Sequence, residues 1–302
     1  MGASNQKSLP KISIVTPSYN QSRFLEKTIR SVLDQGYPEI EYIIIDGGST
    51  DDSVRIIKRY AKYLKYWVSE SDRGQSHAIN KGFEQASGDL LGWVNSDDYY
   101  IPGAFHRAAE LFVTHPKAGA IIGAGQYVNG SGEVISYKKP AEVSLGSLYY
   151  WFDDVPFMQP SCFFSREAWK RCGPLDENIH IAMDLDLWFK VAKHYPLVTS
   201  PELFSASLLH SEAKTSAFHY LTLVDSAIVI LRHGGEREAR KCLEKIAHKL
   251  SYYETNWNLV MHHPVIRFLL PLKNLFFRNR VRWGQVIPQW TKQAPAGKQN
   301  LA

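Results

Sequence analysis

Four groups of polar residues stand where an apolar pattern has just ended. Asp97 and Asp98 follow the run Leu90-Leu91-Gly92-Trp93-Val94, and a buried strand has no use for two carboxylates. Adjacent acids there can form a solvated turn. At a rigid sheet edge they can also hold Mg²⁺ or Mn²⁺, hard cations that take oxygen ligands and leave the rest of their shell to water and substrate phosphate. Asp46 follows Ile43-Ile44-Ile45 and precedes Gly47-Gly48. Two glycines permit a sharp turn or the close approach of a ligand. Asp46 therefore either caps a turn or accepts hydrogen bonds from a nucleobase or ribose. The segment Gly47-Gly48-Ser49-Thr50 lacks the Gly-Lys-Ser/Thr ending of a phosphate-cradling P-loop. Asp184 and Asp186 flank Leu185 near a helix start, where negative charge suits the helix dipole. A general base needs a carboxylate aimed into a cleft, and residues two apart do not share a helix face. One of the pair can serve chemistry and the other structure. His210, with Lys214 nearby, follows a short strand-like run and can meet a metal or a diphosphate.

The elements that must position these groups alternate in type. Strand patterns at 12–20, 41–46, 64–70 and 89–95 are separated by helical patterns beginning near Ser22, Val54 and Ser76. Strand-helix alternation predicts a mostly parallel sheet flanked by helices, since parallel strands need crossovers. Ligands in such sheets lie outside the carboxyl ends of the strands. The polar loops Thr16–Asn20, Asp46–Asp51, Glu70–Gln75 and Asn95–Asp98 all fall at that edge. Further on, 118–137 reads as a strand pair turning at Asn129-Gly130-Ser131-Gly132, 159–169 as a strand entering a helix, and 183–195 as a helix with Leu187, Val191 and Tyr195 inward. From Ser216 the pattern is helical. The expected organisation is an α/β domain over 1–215 and a basic helical extension over 216–302.

With 44% hydrophobic and 22% charged residues, the chain has the composition of a folded globular protein, which excludes wholesale disorder. A net charge of +5 is too small to argue for nucleic acid. Cys162, Cys172 and Cys242 are odd in number and lack metal-type spacing, so free thiols in a reducing, cytoplasmic setting are expected. Cys162 and Cys172 have no obvious paired histidine, which speaks against a nucleophilic cysteine. Residues Met1 to Leu9 carry no apolar signal core, and no run approaches the ~18 apolar residues of a membrane span.

The stretches "ISIVTPSYNQSRFLEKTIRSVLDQ", "EYIIIDGGSTDDS", "DRGQSHAINKGFEQASGDLLGWVNSDD", "QPSCFFSREAWKRCGPLDENI" and "MDLDLWFKVAKHYP" occur in this order between Pro10 and Ser216. Together they resemble the family 2 glycosyltransferases of the GT-A, Rossmann-like fold. The resemblance implies an inverting transferase using a nucleotide-diphosphate sugar, most often UDP-linked, and a divalent cation, Mn²⁺ or Mg²⁺. It places Thr16, Pro17 and Tyr19 around the base, Asp46 on the base, and Asp72, Gly74 and Gln75 along the nucleotide. Asn95 to Asp98 stands for the family's Asp-x-Asp signature, with Asp97 facing ribose or sugar and Asp98 the metal, joined there by His210. Asp184 takes the place of the catalytic base. The chain departs from many members at Gly47 and Met183, where they carry a second acid. The family's range suggests bacterial surface polysaccharide or glycolipid synthesis, with a saccharide or lipid-linked acceptor. A non-catalytic nucleotide-sugar-binding assembly partner is the alternative. A nucleotidyltransferase would want a basic Gly-rich triphosphate loop near the N-terminus, which "TPSYNQS" does not supply. Trp151, Gln159 and Arg166 are candidates for the acceptor side.

From His262 to Ala302 the chain has seven Lys and Arg, no Asp or Glu, and interleaved Phe268, Leu269, Phe276, Phe277 and Trp283. Apolar plus basic, and too short to span, suits a peripheral position on the anionic cytoplasmic membrane face. A helix packed on the catalytic domain is the plainer reading. In a co-sedimentation test with anionic phospholipid vesicles, the full chain is expected to pellet and a chain ending at Met261 to stay in solution. Equal partitioning of the two removes the membrane role.

Overall fold

The computed structural model describes residues 9–210 and 219–262. Its elements are β1 (Ile12–Ser18), α1 (Ser22–Leu33), β2 (Ile40–Asp46), α2 (Ser53–Tyr60), β3 (Tyr66–Ser69), α3 (Gln75–Glu84), β4 (Leu90–Trp93), β5 (Asp98–Tyr100), α4 (Ala104–Thr114), β6 (Ala120–Val128), β7 (Val134–Lys138), α5 (Leu145–Leu148), β8 (Cys162–Ser165), α6 (Arg166–Cys172), α7 (Met183–Ala192), β9 (Leu197–Leu208), α8 (His219–Arg232) and α9 (Glu236–His262). The strands form one sheet in the order β3-β2-β1-β4-β8-β6-β9-β5, with β7 paired to β6. The first four strands are mutually parallel, as strand-helix alternation requires. The second half is mixed: β8 runs antiparallel to both β4 and β6, β5 is antiparallel to β9, and β6 and β9 are parallel.

Alternation along the strands splits the core into two layers. Val15, Leu91, Trp93, Ile122 and Phe164 face one side with Ile79 and Phe83 of α3 and Leu187, Trp188 and Phe189 of α7. Ile14, Leu90, Ile121 and Phe163 face the other with Leu25 and Ile29 of α1 and Phe105 and Ala108 of α4. Both faces are covered, which is why β1 can be buried along its whole length. Helix α3 lies so close to β1 that a Cβ on Gly82 would come within 2.4 Å of Val15 Cγ1.

Helix α1, which begins at Ser22 as its pattern indicates, is capped from outside. No side chain of α1 caps its own start; the amides of Gln21 and Ser22 donate to Ser53 Oγ and Asp51 Oδ2, at 3.2 and 2.9 Å. The loop after β2 thus closes the helix after β1, binding two polar loops of the same sheet edge together. The sequence pattern also left β5 and α4 unmarked. Residues to Ile246 form one compact unit and Ala247–Ala302 a second. The expected boundary at 215 therefore lies earlier than this division, because Val229, Ile230 and Ala239 are buried in the same cluster as α7. Among the described residues no helix is long and apolar enough to cross a membrane. Lys214 and the basic tail after His262 lie outside the described residues.

At the opposite edge from the polar loops, Glu41 ties four segments. It accepts from Ser13 Oγ at 2.7 Å, the Ser87 amide at 2.8 Å and Lys65 Nζ at 2.7 Å. Burial alone would raise its carboxyl, but Lys65, Ser87 and Ser13 hold it down to about 2. A depressed carboxylate stabilises the fold above its ordinary pKa, 4.5, and loses that contribution as pH falls toward about 2. Glu41→Gln is therefore expected to unfold more easily at pH 7, by about 1–3 kcal/mol. In thermal melts the gap from wild type should close as pH drops through that window; a gap independent of pH would remove the charge from the explanation.

Candidate active site

The carboxyl ends of β1, β2, β3 and β4 bring the predicted site residues to one edge, and burial then sorts them. Thr16 is fully buried, its Oγ1 hydrogen-bonded to Tyr42 OH at 3.0 Å, and Pro17 is also inside. Tyr19 stands out from the edge, 62% exposed. Asp46 is fully buried: Oδ1 accepts from Ser49 Oγ at 2.6 Å, and Oδ2 from the Ser49 amide at 2.9 Å and Ser69 Oγ at 2.7 Å. The base-reading carboxylate expected at Asp46 is thus enclosed here, and its hydrogen bonds shape the loop after β2. Asp72 is half-buried and accepts from the Gly74 amide at 2.8 Å. Burial pushes its carboxyl up. A Cβ on Gly47 would sit 2.7 Å from Asp72 Oδ2, so the Asp72 carboxylate occupies the space that a side chain at position 47 would need. Gly74 has φ +109°, a conformation open to glycine, and starts α3. Gln75, the first residue of that helix, donates to Asn95 Oδ1 at 2.7 Å.

The turn after β4 is held from below by α1. Thr28 Oγ1 lies 2.9 Å from the Ser96 carbonyl and 2.6 Å from that of Asp98. This fixes two adjacent acids in different surroundings. Asp98 enters β5, is 7% exposed and turns inward to Asn95, Ser207 and the Leu208 backbone. Burial first, and the Asp97 charge second, push its carboxyl well above the usual range. Asp97 is the more exposed of the two and faces His210, with Oδ2 and Nε2 3.0 Å apart. His210 Nδ1 is buried without a hydrogen-bond partner. The metal pair expected from Asp98 and His210 is therefore not formed: burial turns Asp98 inward, and Asp97 is the carboxylate beside the imidazole. A carboxylate and an imidazole side by side fit a divalent cation whose other ligands come from phosphate and water. Among the described residues no cluster of three or more His, Cys, Asp or Glu is present.

Helix α7 carries Asp184. From Met183 to Phe189 every residue is buried except Asp184, which reaches partway to the surface. Its Oδ1 accepts from the Leu185 amide at 2.8 Å, and its charge helps to raise the thiol of Cys162 at the start of β8, after burial. Trp188, one turn further on, stacks on Trp93 of β4 at 5.7 Å and 10°. Asp186 points the other way, 4% exposed, with His233 Nε2 on one oxygen at 2.9 Å and Lys190 Nζ on the other at 2.6 Å. Burial would raise its carboxyl, but His233 and Lys190 hold it below the usual range. Of the acceptor-side candidates, Arg166 is tied to the Gly88 carbonyl at 2.7 Å and Trp151 packs edge-on against Phe157. Gln159 donates to the Trp93 carbonyl at 2.9 Å. Thr28, Asp225 and His233 escaped the sequence reading. A threonine inside an amphipathic helix and a histidine after one carry no signal of what they will meet.

Residues 13–172 match the model of the family described as Glycosyl transferase family 2. An uncharacterized glycosyltransferase of Mycobacterium tuberculosis is 43% identical over 188 residues, covering 61% of this chain and 70% of that protein. The chain spans 30% to 66% of the length of other curated relatives that it matches at 25% to 27% identity. Among solved structures, Staphylococcus aureus TarS 1–349 in complex with UDP superposes with a TM-score of 0.57 at 19% identity, covering 82% of this chain and 73% of that one. A mannosyltransferase from Pyrobaculum calidifontis in complex with GDP-Man and Mn²⁺ gives 0.56 at 18% identity, covering 90% and 89%. These likenesses show the GT-A fold. The match across more than half of the chain shows the family: this protein belongs to glycosyl transferase family 2.

Proposed function

We propose that this chain is an inverting, cation-dependent transferase that moves a sugar from a UDP-linked donor to a hydroxyl acceptor in bacterial surface polysaccharide or glycolipid synthesis. The observation that carries the proposal is the partial exposure of Asp184 within the buried Met183–Phe189 stretch of the helix whose Trp188 stacks on Trp93 of β4. A carboxylate so placed can take the proton of an acceptor hydroxyl while its oxygen bonds to the anomeric carbon and the bond to the diphosphate breaks. Tyr19 and Asp72 would lie against the nucleoside, and Gly74 and Gln75 along the nucleotide. Asp97 and His210 would hold Mn²⁺ or Mg²⁺, which supplies Lewis-acid neutralisation of the departing diphosphate. Asp98 and Thr28 hold the turn beneath them. Asp46 keeps its loop in shape through Ser49 and Ser69. The UDP and Mn²⁺ named in the two structural relatives support the donor and cation classes.

Asp184→Asn should lower transfer by about 100- to 10,000-fold, the usual worth of a general base, while UDP still binds. Turnover near wild type in that variant takes the base role away from Asp184. Thermal shifts across nucleotides and nucleotide sugars, with and without Mn²⁺, test the donor side. UDP at ~100 times its dissociation constant should add about 2.7 kcal/mol to the folded state. Asp97→Ala should lose the part of that shift that depends on Mn²⁺. A folded sample that responds to no nucleotide or nucleotide sugar removes the donor site, whereas a response without turnover supports the non-catalytic alternative.

A further inference from the structure

We propose that helix α8 and the residue that follows it, His233, belong to the catalytic machinery, with His233 a positioning residue that sets the Asp184 helix. The inference rests on the reading of Asp184 as the base. It concerns residues beyond the 13–172 region that the family match covers.

Helix α7 starts without a side-chain cap of its own, at Ala182. The neighbouring helix supplies what is missing. Asp225 Oδ2 accepts from the Ile181 amide at 3.0 Å, just ahead of that start. Arg232 Nη1 binds Asp176 Oδ2 at 2.9 Å in the loop leading to it. His233 binds Asp186 and stacks on Phe189 at 4.7 Å and 10°. Segment 176–189 is thus gripped at successive points along its length by one short stretch, 225–233.

The His233 ring is oriented by its own partners. Lys193 Nζ lies 2.9 Å from Nδ1, and an ammonium has only donors, so Nδ1 accepts and the ring proton sits on Nε2. That proton faces Asp186 Oδ1, while Lys190 takes Oδ2. The backbone carbonyl of His233 is fixed in turn by Tyr149 OH at 2.8 Å. Asp186 and Asp184 leave the same helix turn on different faces, so rotating or sliding α7 moves both. Holding one carboxylate with an imidazole and an ammonium therefore fixes where the other projects. Displacements of about 1 Å at a reacting group are known to cost ~100-fold in rate.

The test uses the full chain with His233→Ala and His233→Gln, whose side-chain amide N–H can replace Nε2–H. The substrate is UDP-GlcNAc first, then the other nucleotide sugars of the titration panel. Expected for His233→Ala is a kcat at least about tenfold lower, with donor KM and the UDP and Mn²⁺ thermal shift unchanged. Amide exchange in 183–192 should be faster, and His233→Gln should recover most of both losses. Full kcat in His233→Ala overturns the inference, as does a loss that spreads equally to UDP binding or that His233→Gln does not repair. If wild type turns over no donor, unchanged exchange in 183–192 overturns it. The Asp184→Asn result stands apart: an active Asp184→Asn enzyme removes the base reading, whereas an inactive one beside a fully active His233→Ala removes only the positioning role.

Discussion

The stack of Trp188 on Trp93 joins the two halves of the site. Trp93 ends β4, two residues before the turn that carries Asp97, and Trp188 lies one turn after Asp184. Both indoles are fully buried, so the contact is made inside the core and not at a flexible edge. Phe164 and Phe157 close around the pair. Large aromatic side chains dominate core energetics through buried area and preferred ring geometry. The same packing that stabilises the fold therefore sets the distance between a turn suited to a cation and a carboxylate suited to a proton.

Around that contact, burial divides the acids into two kinds. Asp46, Asp98 and Asp186 are enclosed and spend their oxygens on protein donors: serines and backbone amides, or a histidine and a lysine. Asp72, Asp97 and Asp184 lie beside them in sequence or space and remain partly open. Burying a charge is costly unless it is paired and hydrogen-bonded, so each enclosed acid commits a set of donors and in doing so stiffens a loop or a helix. The open member of each group then projects from a support held by those hydrogen bonds. Gly47 extends the arrangement, since its missing side chain is the space that the Asp72 carboxylate fills.

The region after β9 has a larger part than a helical appendage would. Helix α8 contributes Val229 and Ile230 to the main core, and together with His233 after it makes three polar contacts to the segment around α7. The family match ends at residue 172, yet both Asp184 and the groups that brace its helix come later in the chain. The part covered by the family match holds the polar sheet edge, and the later part holds the helix that carries Asp184.

Most of the sheet and its polar edge were legible in the sequence. Buried parallel strands read as apolar runs, and each run stops at a polar loop, so β1, β2, β4 and the helices α1, α2 and α3 could be placed from pattern alone. The candidate residues stood out for the same reason: Asp46, Asp97, Asp98 and Asp184 interrupt apolar stretches. Which acid is buried and which is open was not. Periodicity reports the face of an element, whereas the burial of Asp98 depends on its pairing with Ser207 of β9, more than a hundred residues later. The grip of His233 on Asp186 is likewise a contact between elements 47 residues apart, with no local pattern to announce it. Local sequence determined the elements and the kinds of group at their ends; long-range packing alone decided which of those groups became support and which was left partly exposed.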